Sequence, residues 1–206
     1  MFENVLTTEQ MVLAERLFPE TEDFYLAGGT ALALQIGHRR SLDFDLASSS
    51  KQIAPFDLER KLIKLGFEIQ NVFTATGDEF SVLIDEIRVT FFSFPFDVKH
   101  EVTWKGAHLT LPGIIELAAM KAYALGRRSK WKDYVDLYFL LKFKLNMEEL
   151  IGKAHEIFSS HFNSKIFREQ LCYFDDIDYS ETIEYIDRAP DDKEIKEFLE
   201  AIAVRI

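Results

Sequence analysis

The sequence predicts an α+β protein, a small mixed β-sheet with flanking helices followed by a helical C-terminal part. Three observations lead there. Short apolar runs at strand period are confined to the first half, separated by turn signals such as Gly77-Asp78 and Asp85-Glu86. From Leu111 onward the apolar residues recur at helical spacing. The 206 residues, 48% hydrophobic with 19 Phe, can bury a sizeable core and a second small lobe, which excludes a disordered chain. The expected division is an α/β core over 1–108 and a helical domain over 109–206.

Each element has a local cause. Thr7-Thr8-Glu9-Gln10 reads as a capping box opening a helix through Phe18, which Pro19 closes. A short strand over Phe24–Ala27 runs into Gly28-Gly29-Thr30, after which Ala31–Ile36 is helix-prone and Gly37 suits its end. Asp43–Leu46 alternates polar and apolar as a strand does. Pro55 starts a helix that Gly66 would end. Strands are expected at Phe67–Phe73, Phe80–Ile84 and Ile87–Phe94. Helices follow at Pro112–Leu125, Lys132–Lys144, Met147–Ser159, Ser164–Tyr173 and Asp191–Val204, with the polar stretch Gly126–Lys130 breaking the first two apart.

The net charge is −11, with 24 Lys+Arg against 35 Asp+Glu, which argues against broad nucleic-acid binding. The charge is uneven, however. Residues 172–206 hold eleven acids and four bases, a net −7, whereas Lys121 to Lys132 holds five bases and no acid. A locally basic patch is therefore compatible with the acidic total. The single cysteine, Cys172, excludes an internal disulfide. No apolar run is long enough to span a bilayer and the N-terminus lacks a secretory pattern, so a soluble, cytoplasmic protein with no membrane partner is expected.

The strongest local signal is Gly28-Gly29-Thr30 followed, after twelve residues, by Asp43-Phe44-Asp45. A glycine turn at a helix start lets an anion approach backbone N–H groups, and Thr30 adds a hydroxyl. Asp43 and Asp45, two apart on a strand, share one face. Two adjacent carboxylates suit a hard divalent cation such as Mg²⁺, with substrate phosphates completing its shell. Singly, Gly-Gly-Thr also reads as a plain turn and Asp-x-Asp as a solvated loop; their ordered combination is what points to chemistry. Arg39 and Arg40 either neutralise phosphate charge or pair with the two aspartates. Lys121 interrupts the apolar stripe Ile114, Leu117, Leu125, so its head either snorkels to water or meets a phosphate. Asp136 stands alone among apolar neighbours, with Asp133 one helical turn before it. It is either a structural partner of Lys121, Arg127 or Arg128, or a further metal or base carboxylate.

The strings Leu26-Ala27-Gly28-Gly29-Thr30 to His38-Arg39-Arg40-Ser41-Leu42-Asp43-Phe44-Asp45-Leu46, and Lys121 with Lys130-Trp131-Lys132-Asp133-Tyr134-Val135-Asp136-Leu137, resemble motifs of the AbiEii/AbiGii toxin family of nucleotidyltransferases. The resemblance covers roughly residues 20–145. It implies a fold related to DNA polymerase β, Mg²⁺ as cofactor and an NTP as donor. It also implies transfer of NMP to an acceptor, either an RNA such as the tRNA 3′ end or a protein hydroxyl, and a toxin role with an antitoxin partner. By this resemblance Asp43 and Asp45 are metal ligands, Gly29 and Thr30 the phosphate-holding turn and Lys121 the motif lysine; with Gly28 these three are expected to hold the nucleotide phosphates, assisted by Arg39 or Arg40. Lys121, Asp133 and Asp136 join the aspartate pair in catalysis, contributed to the cleft by the helical domain. One departure stands out. Many nucleotidyltransferases carry a third carboxylate on a following strand, where Ile87–Phe92 offers Thr90. A non-catalytic or regulatory NTP-binding module is therefore the alternative. A phosphohydrolase is a weaker one, because Gly-Gly-Thr precedes the acids.

Overall fold

The computed structural model describes residues 1–50, 52–125 and 127–205; Gly126, expected at a helix break, lies outside the described residues. The chain divides into two compact units, Met1–Gly113 and Ile114–Ile206.

The first unit holds a five-stranded sheet: β1 (Tyr25–Ala27), β2 (Phe44–Ser48), β3 (Ile69–Ala75), β4 (Glu79–Ile84) and β5 (Ile87–Ser93), in the order β1-β2-β5-β4-β3. Only the β2–β5 pair is parallel, so the sheet is mixed as expected. The turn between β4 and β5 puts Asp85 and Glu86 at φ +50° and +63°, the left-handed pair that matches the twist of a tight hairpin. Alternation decides the faces. Phe44 and Leu46 of β2, Val82 of β4, and Val89 and Phe91 of β5 are buried on one side, with at most 6% exposure anywhere along this row. Asp45, Thr90 and Ser81, in register across β2, β5 and β4, occupy the other.

Helices α1 (Thr8–Leu17), α2 (Gly28–Ile36) and α3 (Pro55–Lys64) complete this unit. The capping box at α1 forms as the sequence predicts, Thr7 and Gln10 exchanging side-chain-to-backbone hydrogen bonds. Gly37 ends α2 in the left-handed conformation. Two strands were not expected from the sequence: β6 (Val102–Trp104) and β7 (Leu109–Leu111) form an antiparallel hairpin, and β7 lies beside β1. Three-residue strands carry too little alternation to be recognised, and the buried Trp104, whose Nε1–H donates to Glu3, anchors this pair from a distance in sequence.

The second unit is helical: α4 (Ile114–Leu125), α5 (Trp131–Phe143), α6 (Met147–Phe158), α7 (Ser164–Leu171) and α8 (Asp192–Ala203). Helix α4 begins two residues after Pro112, where it was expected. The core joins Tyr134, Leu137 and Tyr138 of α5 with Leu150 and Phe158 of α6 and Leu199 of α8. Asn146 caps α6 through a second capping box, and Asp191 caps α8. No helix among the described residues is long and apolar enough to cross a membrane.

Candidate active site

The residues singled out by sequence form two constellations, one in each unit. In the first, α2 begins at Gly28 itself, so Gly-Gly-Thr is the opening turn of the helix rather than a loop preceding it. Ala27 at the cap position offers no side-chain acceptor to the first-turn N–H groups. The Asp45 carboxylate packs against Gly28 instead, lying where a Cβ of that residue would fall. Gly28 also has φ +67°, so glycine is required here both by conformation and by space. Carboxylate charge at this end is favoured by the helix dipole.

Gly29 is needed for a related reason: a Cβ there would lie 2.7 Å from an Arg39 guanidinium nitrogen and 3.1 Å from the Ser41 hydroxyl. Arg39 is thus buried across the helix start, and it also donates to the Arg40 carbonyl at 2.9 Å. Arg40 donates to the backbone carbonyls of Asn4 and Leu6, tying the N-terminal segment to the motif. The Thr30 hydroxyl, expected as a donor at the helix start, has a backbone partner. It is fully buried and donates to the Asp43 backbone carbonyl, fastening the aspartate segment to α2.

Asp43 immediately precedes β2 and Asp45 lies within it; both are half-buried, while Phe44 between them is fully buried. A half-buried carboxylate just before a strand and another within it are hard oxygen donors of the kind Mg²⁺ takes, with water and phosphate to complete its shell. The donor set therefore fits the metal implied by the resemblance. Thr90 pairs directly with Asp45 across the parallel β2–β5 ladder, so the position of a third carboxylate holds a hydroxyl. Among the described residues no group of three or more acids, histidines or cysteines could hold a metal ion. Thr90 is 3.0 Å from the fully buried Ser81 hydroxyl, which accepts from Arg88 Nε at 2.9 Å. Sequence reasoning missed Ser81 and Arg88; the only hint was a polar residue between Phe80 and Val82.

The second constellation is sealed. Lys121 does not snorkel: it is 4% exposed, with its Nζ 2.6 Å from Asp133 and 2.7 Å from Asp136. Both aspartates are fully buried. Arg128 adds a two-pronged contact to Asp133, Nε to Oδ2 at 2.9 Å and an Nη to Oδ1 at 3.2 Å. Burial pushes the Asp133 carboxyl up, but the Lys121 and Arg128 charges outweigh it and hold the group below its ordinary value of 3.8.

The basic stretch before α5 is not an open patch. Lys130 reaches Asp178 at 2.9 Å and Glu181 at 3.0 Å, Lys132 pairs with Glu181, and Ser129 donates to Asp176. A backbone bridge between Lys130 and Asp178 and the packing of Trp131 on Tyr179 complete this strap. Part of the acidic excess near the C-terminus is spent on these bases.

The family model described as "Nucleotidyl transferase AbiEii toxin, Type IV TA system" matches residues 12–204. An uncharacterized protein of Aquifex aeolicus is 31% identical over 182 residues, covering 85% of this chain and 84% of its own. Among solved structures, a protein from H. pylori described as a nucleotidyltransferase superposes with TM-score 0.56 at 18% identity, over 98% of this chain and 94% of the other. MenT4 of Mycobacterium tuberculosis, a nucleotidyltransferase toxin, does so with TM-score 0.58 at 13% identity, over 95% and 82%. At such identities the two structures establish the shared fold.

Proposed function

The chain belongs to the AbiEii family of nucleotidyltransferase toxins, and on that premise we propose that it transfers NMP from an Mg²⁺-bound NTP to a hydroxyl acceptor, the 3′ end of an RNA such as tRNA. An antitoxin, implied by the type IV system of the family, is the proposed partner. The observation that carries this reading is the Asp45 carboxylate seated against Gly28 at the start of α2, with Asp43 two residues before it.

Asp43 and Asp45 would hold the metal. When bound, Mg²⁺ supplies neutralisation of phosphate charge and a lowered pKa for the attacking hydroxyl. Gly28 and Gly29 keep the helix start clear of side chains, so that a phosphate can come against backbone N–H groups. Arg39, held across Gly29, brings positive charge to the same helix start. Thr30 acts from beneath by holding the Asp43 backbone. For Lys121, Asp133 and Asp136 we propose a positioning role within their own unit, two carboxylates fixing one ammonium.

The test is incubation of pure protein with Mg²⁺, each labelled NTP in turn, and total RNA or a protein lysate. The expected result is label in an RNA-sized product, lost in Asp43→Ala with the circular dichroism spectrum unchanged. Transfer that survives Asp43→Ala rejects the two-aspartate site. Thr90 opposite Asp45 favours a second reading, a regulatory NTP-binding module. That reading predicts a thermal shift with Mg²⁺-NTP and no incorporation into any acceptor.

A further inference from the structure

The polar face of the sheet continues past Thr90. In register it runs Asp45 on β2, Thr90 on β5 and Ser81 on β4, with Arg88 two residues before Thr90 on the same face of β5. From strand spacing, the Arg88 and Asp45 backbones are on the order of 8 Å apart, and the Arg88 side chain reaches across β4 towards β3, on the side of β5 away from Asp45. Arg88 is exposed, yet it is held in place. Its Nε donates to Ser81, and its guanidinium carbon lies 4.7 Å from the centre of the Phe73 ring. Among the described residues it has no acidic partner, in a chain where acids outnumber bases 35 to 24. An exposed guanidinium pinned at its Nε is a fork suited to phosphate oxygens.

Resting on the reading of Asp43 and Asp45 as the transfer site, we propose that Arg88 is the acceptor-phosphate contact. It would bind a backbone phosphate of a single-stranded nucleic acid and so select that acceptor over a protein hydroxyl. Thr90 fits the same assignment. Its hydroxyl is linked through Ser81 to Arg88, so Asp45's neighbour on β5 and the arginine belong to one hydrogen-bonded row on this face.

The experiment measures binding of a short 5′-fluorescein-labelled single-stranded RNA with a free 3′-OH, by anisotropy over a salt series, to the full chain and to Arg88→Gln, Arg88→Lys and Lys165→Gln. Lys165 lies on α7 and serves as an exposed cation control. Arg88→Gln is expected to weaken binding about tenfold at low salt and to reduce the slope of log K against log salt by about 0.7, the loss of one phosphate contact. Arg88→Lys should keep the slope while losing part of the affinity, and Lys165→Gln should change neither. The thermal shift with Mg²⁺-NTP should be the same in all four proteins. An unchanged slope in Arg88→Gln, equal losses in Arg88→Gln and Lys165→Gln, or no RNA binding by the unmodified chain overturns the assignment. Loss of transfer from Asp43→Ala tests the underlying reading separately, because that reading survives if the labelled acceptor proves to be a protein.

Discussion

Asp43 and Asp45 lie two residues apart at a strand and stay partly open to solvent, whereas Asp133 and Asp136 lie three apart on a helix and are closed around Lys121. The same side chain thus serves two opposite electrostatic situations. On the strand, a glycine makes room for the Asp45 carboxylate at a helix start, and water and incoming cations can reach the pair. On the helix, both carboxylates are fully buried around one ammonium, with a guanidinium added at Asp133. Open carboxylates suit exchange of metal and substrate; buried, compensated ones fix a fold or a geometry. Charged residues removed from water are costly unless paired, so losing one member should matter most where the rest cannot rehydrate.

The contrast can be broken in graded ways. The largest effect on activity is expected from Asp45→Asn, with labelled-NMP transfer falling at least about 100-fold while the thermal midpoint falls less than it does in Lys121→Met. A large drop in that midpoint would mean that the open pair is structural after all. Lys121→Met should have the largest effect on stability, about 3–5 kcal/mol in urea unfolding, because it removes the buried ammonium shared by two buried carboxylates, leaving Asp133 with Arg128. A loss below about 1 kcal/mol, the range of exposed pairs, would show that the cluster can open to water. Gly28→Ala combines both effects. Its positive φ should cost about 1–2 kcal/mol, and the new methyl should displace Asp45 and lower transfer more than stability.

The acid limb sharpens the comparison further. Asp133 is held below 3.8 in the folded chain, so its contribution is fully present above that pH and is lost as the pH falls through the folded-state value. The stability difference between the unmodified chain and Asp133→Asn should therefore shrink in acid below that point, as read by urea unfolding at stepped pH. A difference that stays constant there would contradict the lysine–aspartate coupling. The smallest effect is expected from Glu181→Gln, whose pairs with Lys130 and Lys132 are partly exposed and together should contribute no more than about 1 kcal/mol.

Much of the fold could be read locally. The Thr7–Gln10 box, the left-handed Gly37 and Gly66, Pro55 at the start of α3, and the Asp85-Glu86 turn all act over a few residues, and each is found where the pattern placed it. The 102–111 hairpin was not legible, because its strands are too short to alternate and depend on partners remote in sequence. In the candidate site, the aspartate pair and glycines were visible as residue types at a spacing. The use of each neighbouring side chain was not. The Thr30 hydroxyl serves the Asp43 carbonyl, and Ser81 and Arg88 join the polar face through a neighbouring strand. The basic stretch that reads as a patch is bound by Asp178 and Glu181, about fifty residues away, a pairing no spacing rule can reveal.

The sequence by itself determined the α+β class, the order of the principal elements and the residue types of both constellations, since periodicity, capping and glycine preference are short-range effects. The tertiary structure decided which charges keep contact with water and which are buried. That depends on strand register and helix packing, which bring together groups far apart in the chain and set how much water each retains. Asp45 is half-buried against Gly28, which leaves it room, and Asp133 is fully buried, with Lys121 meeting it from the interior and the half-exposed Arg128 from the solvent side.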